Sequence, residues 1–179
     1  TVLPLTAIAI IFMGVWSVIT VRDSMEKTFQ QLMVQELESF VDHNIRAYYD
    51  ILKKNQLDTI DSFVKTYQKK VYDDTYKLHF IESGNLIIMS RSGDLYKQTA
   101  DGKKFDSQVY QNIAMKITKD EMEYQIGHMD TPQLNQIYAG YFFKPWDWVI
   151  IYTVSHDIIH EAQNKIGNTA IAVGTGCLI

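Results

Sequence analysis

Hydrophobic and polar positions divide the chain into an uncharged run, a long helical stripe, a series of short alternating runs and a second uncharged run. No residue from Leu3 to Val21 is charged. At about 1.5 Å per residue, a helix of that length crosses the roughly 30 Å hydrocarbon layer. Residues 1–21 are therefore expected to form a transmembrane helix. Pro4 falls at its start, where a missing N–H costs little, and Trp16 lies toward one end, as interfacial aromatics do. A cleaved signal peptide has a shorter apolar region followed by a small-residue cleavage site. Here the small residues Ala7 and Ala9 sit inside the run.

Arg22 to Tyr72 contains neither Pro nor Gly. Apolar residues recur at Met25, Phe29, Leu32, Leu37, Phe40, Val41, Ile45, Tyr48 and Leu52, and again at Leu57, Ile60, Phe63, Val64, Tyr67 and Val71. Spacings of three to four make a helical stripe. The expectation is a long helical stalk over 22–72 with a break near Asn55. Such a stripe can pack on the chain's own sheet or form a seam between two copies, since near-heptad stripes make coiled-coil contacts. Both uses are expected, with Met25–Leu52 forming a parallel homodimer seam that Glu36, Asn44 and Gln56 weaken.

After Asp73-Asp74 the period changes. Thr75–Glu82 and Leu86–Ser90 read as strands around a Ser83-Gly84-Asn85 turn. Ser92-Gly93-Asp94 and Asp101-Gly102 bound a loop holding Leu95 and Tyr96. Asp106 or Ser107 can cap a helix whose buried face is Val109, Tyr110, Ile113, Ala114 and Ile117. Strand-like runs follow at Met122–His128, Tyr138–Phe143 and Trp148–Val154, the last pair joined at Lys144-Pro145-Trp146-Asp147. Pro145 has no N–H to give a ladder, so it belongs in the connection. The order predicts an α+β fold: long N-terminal helices, then a five-stranded antiparallel sheet with a helix across one face. Residues 158–179 continue from a short helix into the uncharged run Ile166–Ile179, read as the start of a second transmembrane helix.

All charge lies between Arg22 and Lys165, so this segment carries the whole formal charge of −4. A mildly acidic balance argues against nucleic acid as a partner, which needs clustered basic residues to replace phosphate counterions. The single cysteine, Cys177, excludes an intrachain disulfide and an all-cysteine metal site. Nucleophile elbow, phosphate-binding glycine loop and paired catalytic carboxylates are all missing, so no enzyme and no cofactor are expected. His156 and His160 have the i, i+4 spacing that can chelate zinc. They lack the intervening glutamate of a metalloprotease helix and an evident third ligand, so they read as a helix face and not as a metal site.

Tyr138–Asp157 also carries a resemblance. An aromatic strand, then Pro-Trp-Asp-Trp-Val-Ile, then an Asp-Ile entering a helix, is similar to the end of a single Cache domain, the PAS-like extracytoplasmic sensor of bacterial chemoreceptors and sensor histidine kinases. The resemblance covers roughly residues 74–159. It implies a sensor domain over 73–157, on the outer side of the cell membrane, that binds a small molecule and signals through its membrane helices. Two positions depart from the family pattern. Ile151-Tyr152-Thr153 replaces a Gly-Thr-Gly-like stretch, and Asn135 stands where members often carry a ligand-side Lys. The family's pocket lies between the sheet and the loop and helix after the second strand. Candidate lining residues there are His79, Met89, Arg91, Tyr96, Tyr110, Tyr124, His128, Tyr138 and Tyr141. A guanidinium at Arg91 suits a short organic acid, because it can hold a carboxylate through two parallel hydrogen bonds. The alternatives are the same fold binding a periplasmic protein partner, a pilin-like subunit, or a membrane-anchored enzyme.

Overall fold

The computed structural model describes residues 3–75, 84–99, 107–119, 124–131 and 134–161. The chain divides into two compact units, one of which is Leu32–Ser155. The other includes the first part of the long helix and the helical residues 156–161.

One continuous helical stretch opens the chain: α1 (Leu3–Phe40), a π-helical segment (Val41–Arg46) and α2 (Ala47–Lys54). The expected break near Asn55 is present. Gln56 takes φ 58°, and α3 (Asp61–Asp74) follows. The apolar run Leu3–Val21 is helical within α1, but most of its side chains lie outside the described residues. Among the described residues, no helix is long and apolar enough to cross a membrane. The second expected transmembrane run and Cys177 lie outside the described residues.

Five strands form one antiparallel sheet in the order β2-β1-β5-β4-β3, with β1 Asn85–Ser90, β2 Leu95–Gln98, β3 Gln125–Thr131, β4 Leu134–Phe143 and β5 Trp148–Ser155. Among the described residues the expected class and strand number are therefore present, and one of the five strands was not expected. On the side away from β5, β1 pairs with Leu95–Gln98, which the residue pattern assigned to a loop. Four residues with an exposed Leu95 and Tyr96 show no alternation strong enough to reveal a strand. The neighbouring backbone of β1 recruits them. Gly93, at φ 99°, closes the turn between them, a conformation that favours glycine. The strand expected at Thr75–Glu82 lies outside the described residues, apart from Thr75, which ends the α3 turn.

β5 is the middle strand and is buried along nearly its whole length. Its residues alternate between two layers. Trp148, Ile150 and Tyr152 face the N-terminal helices, where Tyr72 of α3 stacks on Trp148 with ring centroids 5.1 Å apart. Val149 and Ile151 face α4 (Ser107–Lys119), joining Ile87, Met89, Ile113, Ala114 and Ile117 in one core. α4 sits close to the sheet because Gly140 has no side chain: a Cβ there would collide with Ile117.

The helical stripe packs inward. Of its members Leu37, Phe40, Val41, Ile45, Leu52 and Val71 are buried, as is the neighbouring Met33, whereas the expected members Leu32, Ile60 and Phe63 are exposed, because they turn away from the core. Within 33–52 the stripe thus serves the chain's own core. Ile45→Ala and Leu52→Ala are each expected to cost about 2–5 kcal/mol of stability, the usual range for emptying a packed aliphatic site. Leu32→Ala should stay within about 0.5 kcal/mol. Thermal melts of the three variants check this, and equal effects at buried and exposed positions would contradict the packing.

Candidate functional site

Side chains alternate sides along a strand, so register decides which candidate residues share a face. Tyr138 stands opposite Gly127 and Thr153, and Tyr141 stands opposite Ile150. Three positions apart on β4, these tyrosines point to opposite sides. Tyr138 joins the α4 core, while Tyr141 meets Arg46 of the helical layer.

On the helix side, Arg46 closes the π-helical segment and is held in several directions. Its Nη1 donates to Asp42 Oδ1 at 2.8 Å and its Nη2 donates to the Tyr141 hydroxyl at 2.8 Å. The guanidinium also lies 5.4 Å from the Tyr141 ring centre. Tyr124 stacks on Tyr141 at 4.8 Å, and its hydroxyl is buried without a hydrogen-bond partner. Burial raises the Tyr124 pKa, with nearby Arg46 opposing and Asp42 reinforcing the shift. π-Helical turns inside α-helices recur at functional positions. Here the segment brings a cation to the one tyrosine of β4 that faces it. His128, opposite Ile137, also belongs to this side and is exposed. Tyr96 leans on Trp148, with centroids 6.3 Å apart, on the same side.

On the α4 side lie Met89, Arg91, Tyr110 and Tyr138. Met89, Tyr110 and Tyr138 are buried in the α4 core. Arg91 follows the last residue of β1, its guanidinium 4.8 Å from the centre of the Phe142 ring. Its Nε also lies 3.2 Å from Asp147 Oδ1, and both side chains are more than half exposed. Asp147 is in the left-handed region at φ 54°, a conformation Asp tolerates, at the turn after Lys144-Pro145-Trp146. Arg91 thus ties the end of β1 to the β4–β5 connection. The sheet therefore separates the candidate residues into Met89, Arg91, Tyr110 and Tyr138 on one side and Tyr96, Tyr124, His128 and Tyr141 on the other. His79 lies outside the described residues.

The opposite end of the α4 side is polar. Asn85, Thr153 and Gln136 are all buried there. The Thr153 hydroxyl donates to the Asn85 carbonyl at 3.5 Å, and the Thr99 hydroxyl to Asn85 Oδ1 at 3.5 Å. Tyr138 lies flat against β3, where a Cβ on Gly127 would strike its ring and hydroxyl. Burial raises the Tyr138 pKa. Sequence reasoning missed Gln136 and Thr153 because each lies near the polar end of its strand, beside Asn135 and near Ser155, where residue type does not show which side is buried. Polar residues at core-facing strand positions are the signal that would have found them. Arg46 was missed because its partner is distant in sequence. On the helix leading out of β5, the His156 and His160 rings lie 4.7 Å apart.

No protein-family model matches this chain, and no curated protein does. Solved structures do. One is a Cache chemosensory domain described as recognising carboxylic acids, similar with a TM-score of 0.53 at 11% identity, over 75% of this chain and 97% of that one. Another is a methyl-accepting chemotaxis protein from Vibrio parahaemolyticus, with a TM-score of 0.54 at 12% identity, over 80% of this chain and 99% of that one. The chain has the fold of a Cache domain.

The buried tyrosines give the fold a pH signature. Burial pushes Tyr72, Tyr124 and Tyr138 above the ordinary tyrosine value of 10.0. Above pH 10 the unfolded chain releases phenolic protons that the folded chain still holds, so stability falls as pH rises. Below the unfolded value the contribution is complete and flat. Melting temperature followed upward from pH 10 should decline, and Tyr124→Phe and Tyr138→Phe should each make the decline shallower. Slopes identical to wild type in both variants would contradict the assignment.

Proposed function

We propose that this chain is the extracytoplasmic ligand-sensing part of a bacterial transmembrane receptor, and that it recognises a small metabolite on the α4 side of its sheet. The observation that carries the reading is the agreement in fold over nearly the full length of chemosensory neighbours, one of them described as recognising carboxylic acids. The α4 side supports it chemically. Met89, Ile151, Tyr110 and Tyr138 share one core there, with buried polar groups at one end, and a ligand that opened this face would meet apolar surface, tyrosine rings and uncharged polar groups together. At the other end Arg91 can serve as a carboxylate anchor if the ligand takes the place of Asp147.

Signalling follows from chain continuity. β5 passes at Ser155 directly into the helical residues 156–161, so a displacement of β5 is carried into the segment leading to the second apolar run. A ligand shifts an equilibrium only by its preference for one of the two states. At one hundred times its dissociation constant it stabilises the bound form by about 2.7 kcal/mol. We further propose a membrane-anchored parallel homodimer whose seam lies before Met33, since the apolar positions Met33, Leu37, Phe40, Val41, Ile45 and Leu52 that follow are buried in the chain's own core.

A thermal-shift screen of the chain in lipid nanodiscs tests the ligand reading. Small organic acids or their amino and hydroxy derivatives should raise the melting temperature, and Tyr138→Ala should weaken the hit roughly tenfold or more, about 1.4 kcal/mol. Arg91→Ala then assigns the end of the face: loss of the hit places a carboxylate at Arg91, and retention places the ligand at the polar end. No shift across acids, amines and amides would overturn the small-ligand reading. For the dimer, cysteines at Met25, Phe29 and Leu32 should crosslink in membranes with helical periodicity, and uniform crosslinking along α1 would count against the seam.

A further inference from the structure

Among the described residues, Gln136 is a buried polar side chain whose oxygen has no partner on the α4 side. It is 6% exposed, and its Oε1 accepts no hydrogen bond. Register fixes its position. Gln136 stands between Met129 of β3 and Ser155 of β5, two positions before Tyr138, so it shares the α4 side with both Met129 and Tyr138.

The polar neighbours do not relieve it. Thr153, diagonal to Gln136 on β5, directs its hydroxyl to the Asn85 carbonyl. Asn85 Oδ1 accepts from Thr99, and Ser155 is engaged in contacts of its own. A buried amide oxygen without a donor carries the full penalty of its desolvation. A sheet with no use for the amide would be more stable with an apolar residue of similar length there. The position alternates correctly for a core residue and is flanked by Met129 and Tyr138, so an apolar side chain would fit the strand equally well.

We propose that Gln136 reads a hydrogen-bond donor on the ligand: an ammonium, an amide N–H or a hydroxyl. The inference rests on the small-ligand reading above and adds the chemical class to it. A bare carboxylate offers only acceptors, so it could take a hydrogen bond from Gln136 Nε2 but would leave Oε1 unpaired. A 2-hydroxy or 2-amino acid supplies the missing proton beside its carboxylate. Sites built to pair a ligand O–H or N–H discriminate strongly against the analogue that lacks it, because the buried protein group is then stranded. Arg91 does not share this ligand. Ser90, next to it, pairs with Trp148, while Gln136 pairs with Ser155. Trp148 and Ser155 are seven positions apart on β5, roughly 23 Å at about 3.3 Å per residue, beyond the span of a short metabolite.

The test uses the chain in nanodiscs, wild type against Gln136→Met and Gln136→Glu. Its probes are short carboxylates, each with its 2-hydroxy and 2-amino counterpart. In wild type, a donor-bearing member should bind roughly tenfold or more tightly than its plain acid. Gln136→Met should erase that difference, Gln136→Glu should move preference toward the amino acid, and Arg91→Ala should leave the discrimination in place. Without ligand, Gln136→Met should melt higher than wild type, because the stranded oxygen is gone. Equal binding of plain and donor-bearing acids in wild type overturns the inference and leaves the small-ligand reading standing. A lower ligand-free melting temperature in Gln136→Met also overturns it, because the amide is then a structural group. If no probe and no wider set of amines and amides binds, the small-ligand reading falls, and this inference with it.

Discussion

Burial of β5 on both sides is the constraint from which the rest of the architecture follows. A strand in the middle of a sheet with apolar residues on both sides needs a layer over each. The N-terminal helices supply one layer and α4 the other. β1 and β4 flank it on both edges, so from Trp148 to Thr153 its backbone is paired on both sides and its side chains are buried. A ligand that moves β5 would therefore disturb both layers at once, and the strand continues directly into the helical residues that follow Ser155.

The two layers differ in kind. The helical layer is locked by aromatic and polar contacts. Tyr49 packs edge-on against Phe143, Trp146 packs edge-on against Trp148, and Arg46 bonds to both Asp42 and Tyr141. Ring pairs of this geometry contribute more than their buried area alone. Arg46 gains its reach from the π-helical segment, a departure from regular helix that the surrounding contacts hold in place. The α4 layer is simpler, with an aliphatic centre and different chemistry at each end: an exposed cation paired with Asp147 at one, buried uncharged polar groups at the other.

Much of the architecture could be read from residue order. The helical stripe, the break near Asn55, the aromatic strand pair around Pro145 and the helix from Ser107 were all legible, because each is a local pattern with its own period or breaker. β2 was not legible. It is a short edge strand whose existence depends on the backbone of β1 lying beside it. The candidate site was legible as a set of residue types but not as a place. Arg91, Tyr110 and Tyr138 fall on one side of the sheet, and Tyr96, Tyr124, His128 and Tyr141 on the other.

The sequence alone determined the class of fold, the long helices, the aromatic corner at Trp146 and Trp148, and the charge segregation that confines all ionic chemistry to Arg22–Lys165. Alternation within one strand shows which residues lie together, but it is silent on which layer they meet. That choice belongs to register and packing. Only the tertiary structure placed Tyr138 under α4 and Tyr141 against Arg46, paired Arg91 with Asp147, and left the amide oxygen of Gln136 buried with nothing to accept.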